Sequence, residues 1–268
     1  MQLSEILSED CVLIREQQPL VHNITNYVAM GISANALLAI GASPLMSSEP
    51  QEMEDISKAS DALVINLGCL ERLQTEAMHK AAQAADSAGK PWVLDPVGVG
   101  VSSLRSETAR DMLVYGPSVI RANASEIMAL AGAKFHHCGV DARDESLAAV
   151  GPAVDLAQET GAIISISGPT DYITDGTTVI SIFNGSPLMP RVTAMGCTAT
   201  ALTAAFLAVD EDALSAAAAA MAMMGTAGET AAASSAGPGS FAVNFIDTLA
   251  TLEPEAASKL LRYEEKPA

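Results

Sequence analysis

The chain has 268 residues, of which 49% are hydrophobic and 17% charged, a composition that excludes a disordered or highly solvated protein. Because 14 basic residues face 32 acidic ones, the net charge of −18 argues against nucleic acid or an anionic membrane as the main partner. We expect a cytoplasmic protein, since no apolar run approaches the ~18 residues of a membrane span and the first ten residues lack the basic start of a secretion signal.

Short apolar runs that end in Gly, Pro, Asn or Asp predict strands, and the longer segments between them carry Ala, Leu and Met at helical spacing. The predicted strands are residues 20–23, 43–46, 62–66, 92–95, 119–122 and 162–167. The predicted helices are residues 28–40, 71–88, 104–113, 124–130 and 149–159. This alternation predicts an α/β fold with a mostly parallel sheet, helices on both faces and ligands at the carboxyl ends of the strands.

The second half of the chain changes pattern. Two apolar runs flank Asp175-Gly176, a turn signal that predicts an antiparallel edge hairpin. Helices follow at 198–209, 214–233 and 241–252, and the charged end 262–268 carries no predicted element. With no repeat and no long linker, we expect one domain spanning residues 1–268.

The most informative stretch is the glycine turn at Gly196, which leads directly into a helix. Amide N–H groups at a helix start favour an anion, especially a transferring phosphoryl group, and Gly196 permits close approach of the backbone. Cys197 falls in the first turn, where the helix dipole is expected to lower the pKa of the thiol and where a substrate hydroxyl can be positioned. The alternative is an ordinary buried cysteine that begins a core helix.

Polar residues also follow two predicted strands. Glu126 and Asp95 are candidate carboxylates for Mg²⁺, held directly or through water, and Arg121 is a candidate contact for nucleotide phosphates. The alternatives are structural: Asn123 and Glu126 form a capping box, and Asp95 bonds the turn that follows it.

A third group begins the chain's first two predicted strand–helix units. Asn23 and Asn26 can bind a small polar ligand, and Met46 offers a soft apolar wall to an aromatic or sulfur-containing ring. In a parallel sheet these residues line one crevice. The alternative for Met46 is simple filling of the core.

Cysteine spacing and common motifs are informative mainly by what they leave out. Cys11, Cys69, Cys138 and Cys197 have no paired spacing, so we expect free thiols rather than disulfides or a zinc site. The cluster at 136–141 (His136, His137, Cys138, Asp141) lacks the spaced partner set of a tetrahedral zinc site. The GxxxxGK[ST] and GxGxxG phosphate-binding motifs are absent.

Seven segments, in this order and spacing, together resemble the hydroxyethylthiazole kinase family of the ribokinase-like superfamily over residues 19–252. They are VHNITN, GASPLM, DPVGVG, RANASEI, GPTDYITDG, MGCTATA and AGPGSF. The resemblance implies a three-layer ribokinase-like fold. It also implies ATP-dependent phosphorylation of the hydroxyl of 4-methyl-5-(2-hydroxyethyl)thiazole for thiamine biosynthesis, with Mg²⁺, in a homotrimer whose active sites lie between subunits.

The resemblance also implies roles for single residues. The family's thiazole-contacting methionine falls on Met46, its ATP-contacting arginine on Arg121, and its ATP-contacting threonine on Ser167. Where the family usually reads G-T-G-C, residues 194–197 read A-M-G-C, so Ala194 replaces a glycine that contacts substrate. That contact persists only if an alanine adopts the required backbone angles. Related kinases carry aspartate at the position of Cys197, with the implied role of accepting the hydroxyl proton. Cys197 resembles a weaker substitute, and we expect it to orient the alcohol.

Three alternatives stay open. The chain can be a kinase for another small alcohol, such as a hydroxymethylpyrimidine or pyridoxal, although Met46 and Cys197 favour thiazole. It can be an ATP-dependent dehydratase on the same fold, which would yield no stable phosphate ester. It can also be a non-catalytic nucleotide sensor, which the joint presence of Cys197, Asp95 and Glu126 disfavours.

Overall fold

The computed structural model describes residues 2–132 and 146–268. Its strands form a nine-stranded sheet in the order β2-β1-β3-β4-β5-β6-β7-β8-β9. They are β1 Leu20–Ile24, β2 Ser43–Met46, β3 Ala62–Asn66, β4 Trp92–Asp95, β5 Val119–Asn123, β6 Ile163–Ser167, β7 Asp171–Thr174, β8 Thr178–Ile182 and β9 Tyr263–Pro267. The first six strands of the sheet pair in parallel and the remaining pairs are antiparallel.

Helices cover both faces of this sheet. They are α1 Leu3–Gln17, α2 Met30–Ile40, α3 Met53–Ala59, α4 Arg72–Ala88, α5 Ser103–Leu113, α6 Ala124–Leu130, α7 Val150–Thr160, α8 Met195–Leu207, α9 Ala213–Ala233, α10 Pro238–Thr251 and α11 Pro254–Leu260. Within the described ranges, none of them is long and apolar enough to cross a membrane.

Two separate cores form because successive strand residues point to opposite faces. Val64 and Val93 join the core made with α1, α2, α8, α9 and α10, whereas their neighbours Leu63 and Leu94 join the core made with α4 to α7. A strand buried on both faces reads as a continuous apolar run, which is why the sequence signal was clear. The predicted three-layer α/β fold is confirmed.

The predicted hairpin is confirmed as β7 and β8, and the sheet continues one strand beyond it. The prediction that the charged end 262–268 carries no element is wrong, because β9 pairs with β8 along its whole length. Its segment YEEKP has no apolar alternation, so the exposed backbone edge of β8 supplies the reason for the strand. Helices α1, α3 and α11 were likewise not predicted.

The start of α8 has an unusual backbone. The helix begins at Met195, and its N-cap residue Ala194 has φ 63° and ψ 12°, in the left-handed region. Ala194 and Gln18 are the non-glycine residues with positive φ among the described residues. The helix that follows this turn carries Cys197 and Thr200, whose side chains meet Asn66 at the end of β3 and Asp95 at the end of β4.

Candidate active site

Cys197 and Asp95 are joined by a hydrogen-bond network at the carboxyl ends of β3 and β4. Asn66, the last residue of β3, donates from Nδ2 to Asp95 Oδ2 at 2.7 Å and to Cys197 Sγ at 3.3 Å. Asn26 donates from its Nδ2 to Asn66 Oδ1 at 2.9 Å and to the same sulfur at 3.3 Å. Thr200, on α8, donates to Asp95 Oδ2 at 2.8 Å. The thiol is therefore a positioned hydrogen-bond acceptor and not a core filler.

The electrostatic environment of Cys197 differs from the expectation. Burial and the charge of Asp95 raise the pKa of the thiol, while the amides of Asn26 and Asn66 and the Arg121 guanidinium act in the opposite direction. The expected lowering of this pKa is therefore not found, because desolvation by burial is the largest effect on the thiol. Cys197 is consequently a thiol, and not a thiolate, at neutral pH.

Asp95 lies in a buried pocket of polar groups. Its side chain is 2% exposed, and burial raises its pKa to about 6 against the opposing effects of Arg121, Thr200 and Asn66. The alternative that the side chain bonds the following turn is wrong, since its hydrogen bonds go to Asn66 and Thr200. The carboxylate is thus directed into the site.

Arg121 packs directly against the first turn of α8. A Cβ atom placed on Gly196 would lie 2.7 Å from Arg121 Nη1, so a side chain at this position would displace the guanidinium. Arg121 is 7% exposed, and its buried Nε has no hydrogen-bond partner among the described residues. A buried, incompletely satisfied guanidinium beside free helix-start amides is suited to an anion.

Glu126 has the predicted structural role. Asn123 Oδ1 accepts from the Glu126 amide at 3.0 Å, and Glu126 Oε2 accepts from the Asn123 amide at 3.1 Å, which together form the capping box. The other carboxylate oxygen accepts from the Gly98 amide at 2.9 Å. Glu126 also raises the pKa of Asp95, so the two carboxylates share one electrostatic environment. The capping alternative is confirmed, and it leaves the carboxylate close to Asp95.

Mg²⁺ prefers carboxylate oxygens as protein ligands and keeps several bound waters. Within residues 2–132 and 146–268 no group of three His, Cys, Asp or Glu side chains forms a metal site. The hydrogen bonds of Asp95 engage Oδ2, and each Glu126 oxygen accepts one amide, so both carboxylates retain lone pairs for bound water. The residues fit a water-rich Mg²⁺ site and not an all-protein cage.

Ser167 is the last residue of β6, which pairs with β5. Its Oγ lies 3.4 Å from the Ala122 carbonyl, and the next residue, Gly168, donates from its amide to Asp171 Oδ1 at 2.9 Å. Burial raises the pKa of Asp171 to about 7, against the effects of the Gly168 amide and of Arg121. In the pairing of β5 with β6, Ser167 lies opposite Asn123, and Arg121 lies opposite Ser165, two residues before Ser167.

Asn23 and Met46 face each other across β1 and β2. Asn23 is 1% exposed and donates to the Val21 carbonyl, while its buried Oδ1 has no partner among the described residues. Met46 is partly exposed, because β2 lies at the edge of the sheet. Core filling therefore does not account for Met46. The predicted cluster 136–141 lies outside the described residues.

Comparison with known proteins decides the family. The profile of the "Hydroxyethylthiazole kinase family" matches residues 12–255. A protein of Brachyspira hyodysenteriae described as "Hydroxyethylthiazole kinase" is 50% identical over 250 residues, which are 93% of this chain and 94% of that protein. The chain belongs to the hydroxyethylthiazole kinase family.

Solved structures agree with this membership of the hydroxyethylthiazole kinase family. The structure of hydroxyethylthiazole kinase protein from Pyrococcus horikoshii OT3 matches with a TM-score of 0.90 and 37% identity, over 98% of this chain and 99% of that one. A ribokinase-like superfamily protein from Enterococcus faecalis V583 matches with a TM-score of 0.66 and 13% identity, over 92% and 93% of the two chains. The second match supports the fold alone.

Two members of the hydrogen-bond network were not singled out from the sequence. Asn66 carries a signal that was available, because it ends β3 just as Asp95 ends β4. Thr200 carries none, because it is one of several threonines along a buried helix and meets Asp95 across 105 positions of sequence. Only the tertiary fold brings that hydroxyl to the carboxylate.

Proposed function

We propose that the protein transfers the γ-phosphoryl group of ATP to the hydroxyl of 4-methyl-5-(2-hydroxyethyl)thiazole, forming the phosphate ester used in thiamine biosynthesis. The observation that carries the proposal is the position of Cys197. The thiol lies in the first turn of α8, beside Arg121 and in one hydrogen-bond network with Asp95. Family membership supplies the substrate class.

The first turn of α8 is the proposed phosphoryl site. The amides of Met195, Gly196 and Cys197 precede the first intrahelical donor, which is the Thr198 amide bonded to the Ala194 carbonyl. They therefore remain free to bind anionic oxygens, and Arg121 adds a positive charge next to them. A net charge of −18 repels ATP in general, which makes these local donors more necessary. Ser167, at the end of the neighbouring strand β6, is the proposed hydroxyl contact for ATP.

Cys197 is proposed to orient the alcohol. Because Asn26 and Asn66 both donate to its sulfur, the thiol proton is directed away from these amides. Phosphoryl transfer passes through a loose transition state, so alignment and charge stabilisation contribute more than removal of the hydroxyl proton. A weakly acidic thiol is adequate for that task.

Asp95 and Glu126 are the proposed residues for Mg²⁺, through bound water. When bound, the ion supplies charge neutralisation on the phosphate oxygens. The protein's own contribution is to keep Asp95 buried and oriented by Asn66 and Thr200, and Glu126 fixed by two backbone amides.

The thiazole side of the site is proposed at Met46, Asn23 and Ala194. Met46 lies on an edge strand and is partly exposed within one chain, so a neighbouring subunit is needed to enclose a ring bound there. This placement supports the homotrimer with intersubunit active sites that the resemblance implies. A monomer at all working concentrations would contradict it.

We infer one kinase domain over residues 1–268, because a single sheet carries Asn66, Asp95, Arg121 and Ser167. A cytoplasmic location is part of the proposal. Among the described residues, Cys11, Cys69 and Cys197 are free thiols, which suits a reducing compartment. The proposed partners are the thiazole alcohol and ATP, with neither nucleic acid nor membrane.

The deciding experiment is ATP turnover with a panel of thiazole, hydroxymethylpyrimidine and pyridoxal-type alcohols, each product being identified by mass. We expect a stable phosphate ester of the thiazole alcohol at the highest kcat/KM. Preference for another alcohol would change the substrate. ATP hydrolysis without an ester would favour the dehydratase alternative, and binding without turnover would favour the sensor.

A further inference from the structure

Arg105 joins the two loops that follow β3 and β4. Its Nη1 donates to the carbonyls of Leu67 and Val97, the latter at 2.8 Å, and its Nη2 donates to the Gly68 carbonyl at 3.1 Å. Among the described residues, no carboxylate lies within ion-pair distance of this guanidinium. The guanidinium therefore donates to backbone carbonyls of two different loops.

The position of Arg105 on its own helix is unfavourable. Arg105 lies in the first turn of α5, where its amide donates to the N-cap hydroxyl of Ser102 at 3.3 Å. A positive charge near a helix N-terminus opposes the helix dipole, and holding a long side chain in one rotamer costs conformational entropy. A residue that conflicts with its local structure commonly serves a functional site.

Both loops make direct contact with residues of the proposed active site. The Gly68 amide donates to Asn66 Oδ1 at 3.0 Å, and a Cβ on Gly68 would lie 2.7 Å from Asn26 Nδ2, so this loop packs directly on the two amides that bind Cys197. In the second loop the Gly98 amide donates to Glu126 Oε1 at 2.9 Å. A Cβ on Gly98 would lie 3.2 Å from Arg105 Cδ, so this loop also packs on the arginine.

We propose that Arg105 is a positioning residue for the phosphoryl transfer, tying the two loops so that Asn66 and Glu126 keep their places around Cys197 and Asp95. The inference rests on the proposed function for its reaction, but the tie between the loops stands on the contacts alone. Arg105 acts through these residues without touching substrate. Its loss should impair alignment for transfer more than affinity for ATP, because Arg121 lies on β5, outside both loops.

The test compares Arg105→Ala, Arg105→Lys and the control Arg110→Ala, which removes an exposed arginine from the last turn of the same helix. Hydrogen–deuterium exchange is followed in segments 66–69 and 97–100, and kcat and KM for ATP are measured with the thiazole alcohol. In Arg105→Ala we expect both segments to exchange at least about tenfold faster and kcat to fall roughly 10- to 100-fold, with KM for ATP within about twofold.

Two comparisons separate the effect of the two donating nitrogens of Arg105 from the effect of its positive charge. Arg105→Lys keeps the charge but cannot donate from two nitrogens, so its exchange and kcat should lie between those of the wild type and Arg105→Ala. Free guanidinium should restore part of the kcat of Arg105→Ala. Arg110→Ala should behave as the wild type in both measurements. Should Arg105→Ala fail to fold, the lysine variant carries the comparison, and wild-type values for it would overturn the proposal.

The remaining outcomes are distinct. Unchanged exchange in Arg105→Ala overturns the tie between the loops, whatever the activity. Faster exchange with wild-type kcat, or a KM for ATP that rises as much as kcat falls, overturns the positioning role. A wild-type protein that does not phosphorylate the thiazole alcohol removes the proposed function and the positioning role with it, while the exchange data still decide whether Arg105 ties the loops.

Discussion

At residue 194 the backbone adopts a left-handed conformation that alanine tolerates poorly, because its methyl group approaches a neighbouring carbonyl oxygen. The resemblance placed a glycine at this position, and the structure shows why: the turn into α8 needs positive φ. The fold therefore retains the glycine geometry without the glycine. The strain lies one residue before the amides that are proposed to bind the phosphoryl group.

Ala194→Gly should stabilise the protein. Relief of the left-handed strain is partly offset by the greater flexibility of glycine in the unfolded chain, which leaves a gain of about 1 kcal/mol and a rise in Tm of roughly 2–4 °C. The measurement is thermal unfolding. The control is Ala208→Gly, at the other end of α8, where φ is −72° and glycine should lower the stability. Equal changes of Tm in Ala194→Gly and Ala208→Gly would contradict the proposal that the backbone at Ala194 is strained.

Cys197→Asp should keep substantial kinase activity, within about tenfold of the wild type. A carboxylate accepts the hydrogen bonds of Asn26 and Asn66 and can take the hydroxyl proton. Cys197→Ala leaves those two amides without this acceptor and should be slower than Cys197→Asp. Steady-state kinetics on folded variants decides the matter, and an inactive but folded Cys197→Asp would count against the proposed role.

How much of the site the sequence could predict depends on where each residue stands relative to an element boundary. Cys197, Asp95 and Glu126 lie at a strand end or in the first turn of a helix, where local pattern already places them at one edge of a parallel sheet. The charge state of Cys197 could not be predicted, because it depends on burial and on Asp95, which is 102 positions away in sequence. The local sequence pattern predicts where such residues lie in the fold, but it does not predict which distant residues surround them.

At the level of elements, the helix α9 and strand β9 are joined by one polar cluster. Arg262 donates to both Glu229 carboxylate oxygens, at 3.1 Å to Oε2, and to the Phe183 carbonyl at 3.0 Å. Asn184 and the Gly185 amide also donate to Glu229. Burial raises the pKa of Glu229, but these donors outweigh it and hold the pKa below its ordinary value. The cluster attaches the last strand to the body of the protein.

Arg262→Ala should therefore lower the free energy of unfolding by about 1 kcal/mol, a modest figure because the arginine is half exposed. Lys266→Ala is the matched control, since its pair with Glu264 lies on the exposed strand and should contribute less than about 0.5 kcal/mol. Chemical denaturation gives both values. If Lys266→Ala lowered the free energy of unfolding as much as Arg262→Ala, the cluster around Glu229 would contribute no more to stability than an exposed ion pair.

The elements divide into those that the sequence predicts and those that need their neighbours. Strands β2, β3 and β4 match the predicted bounds residue for residue, because each is an apolar run bounded by polar or turn residues. Strand β9 has no such pattern and exists because β8 offers it a backbone partner. Long-range pairing of this kind is invisible to local pattern.

For the whole molecule, buried carboxyl groups with a raised pKa link stability to pH, and the largest shifts are those of Asp10 and Asp171. Burial, with the charges of Asp210 and Glu9, raises the pKa of Asp10 from 3.8 to about 7. Burial likewise raises the pKa of Asp171 from 3.8 to about 7, against the Gly168 amide and Arg121. Between pH 4 and 7 the folded state therefore binds protons that the unfolded chain does not, so stability falls as pH rises through this window.

The protein should consequently be more stable at pH 5.5 than at pH 8, by about 1–3 kcal/mol, and the lower net negative charge at pH 5.5 acts in the same direction. Carboxyl groups with lowered pKa, such as Glu229 and Asp175, lose their contribution only below this window. Thermal unfolding across pH 5 to 8 measures the effect. Asp10→Asn should flatten part of the curve, and a Tm that rises with pH would refute the linkage.

The final strand has a consequence for how copies of the chain can associate. Glu264, Glu265, Lys266 and Pro267 line β9, and charge and proline at a sheet edge discourage pairing with another sheet. At the opposite end, β2 presents a short, uncharged edge that includes Met46. Extension of one sheet through many copies needs an open edge at both ends of the sheet, so β9 acts against the growth of a continuous fibre.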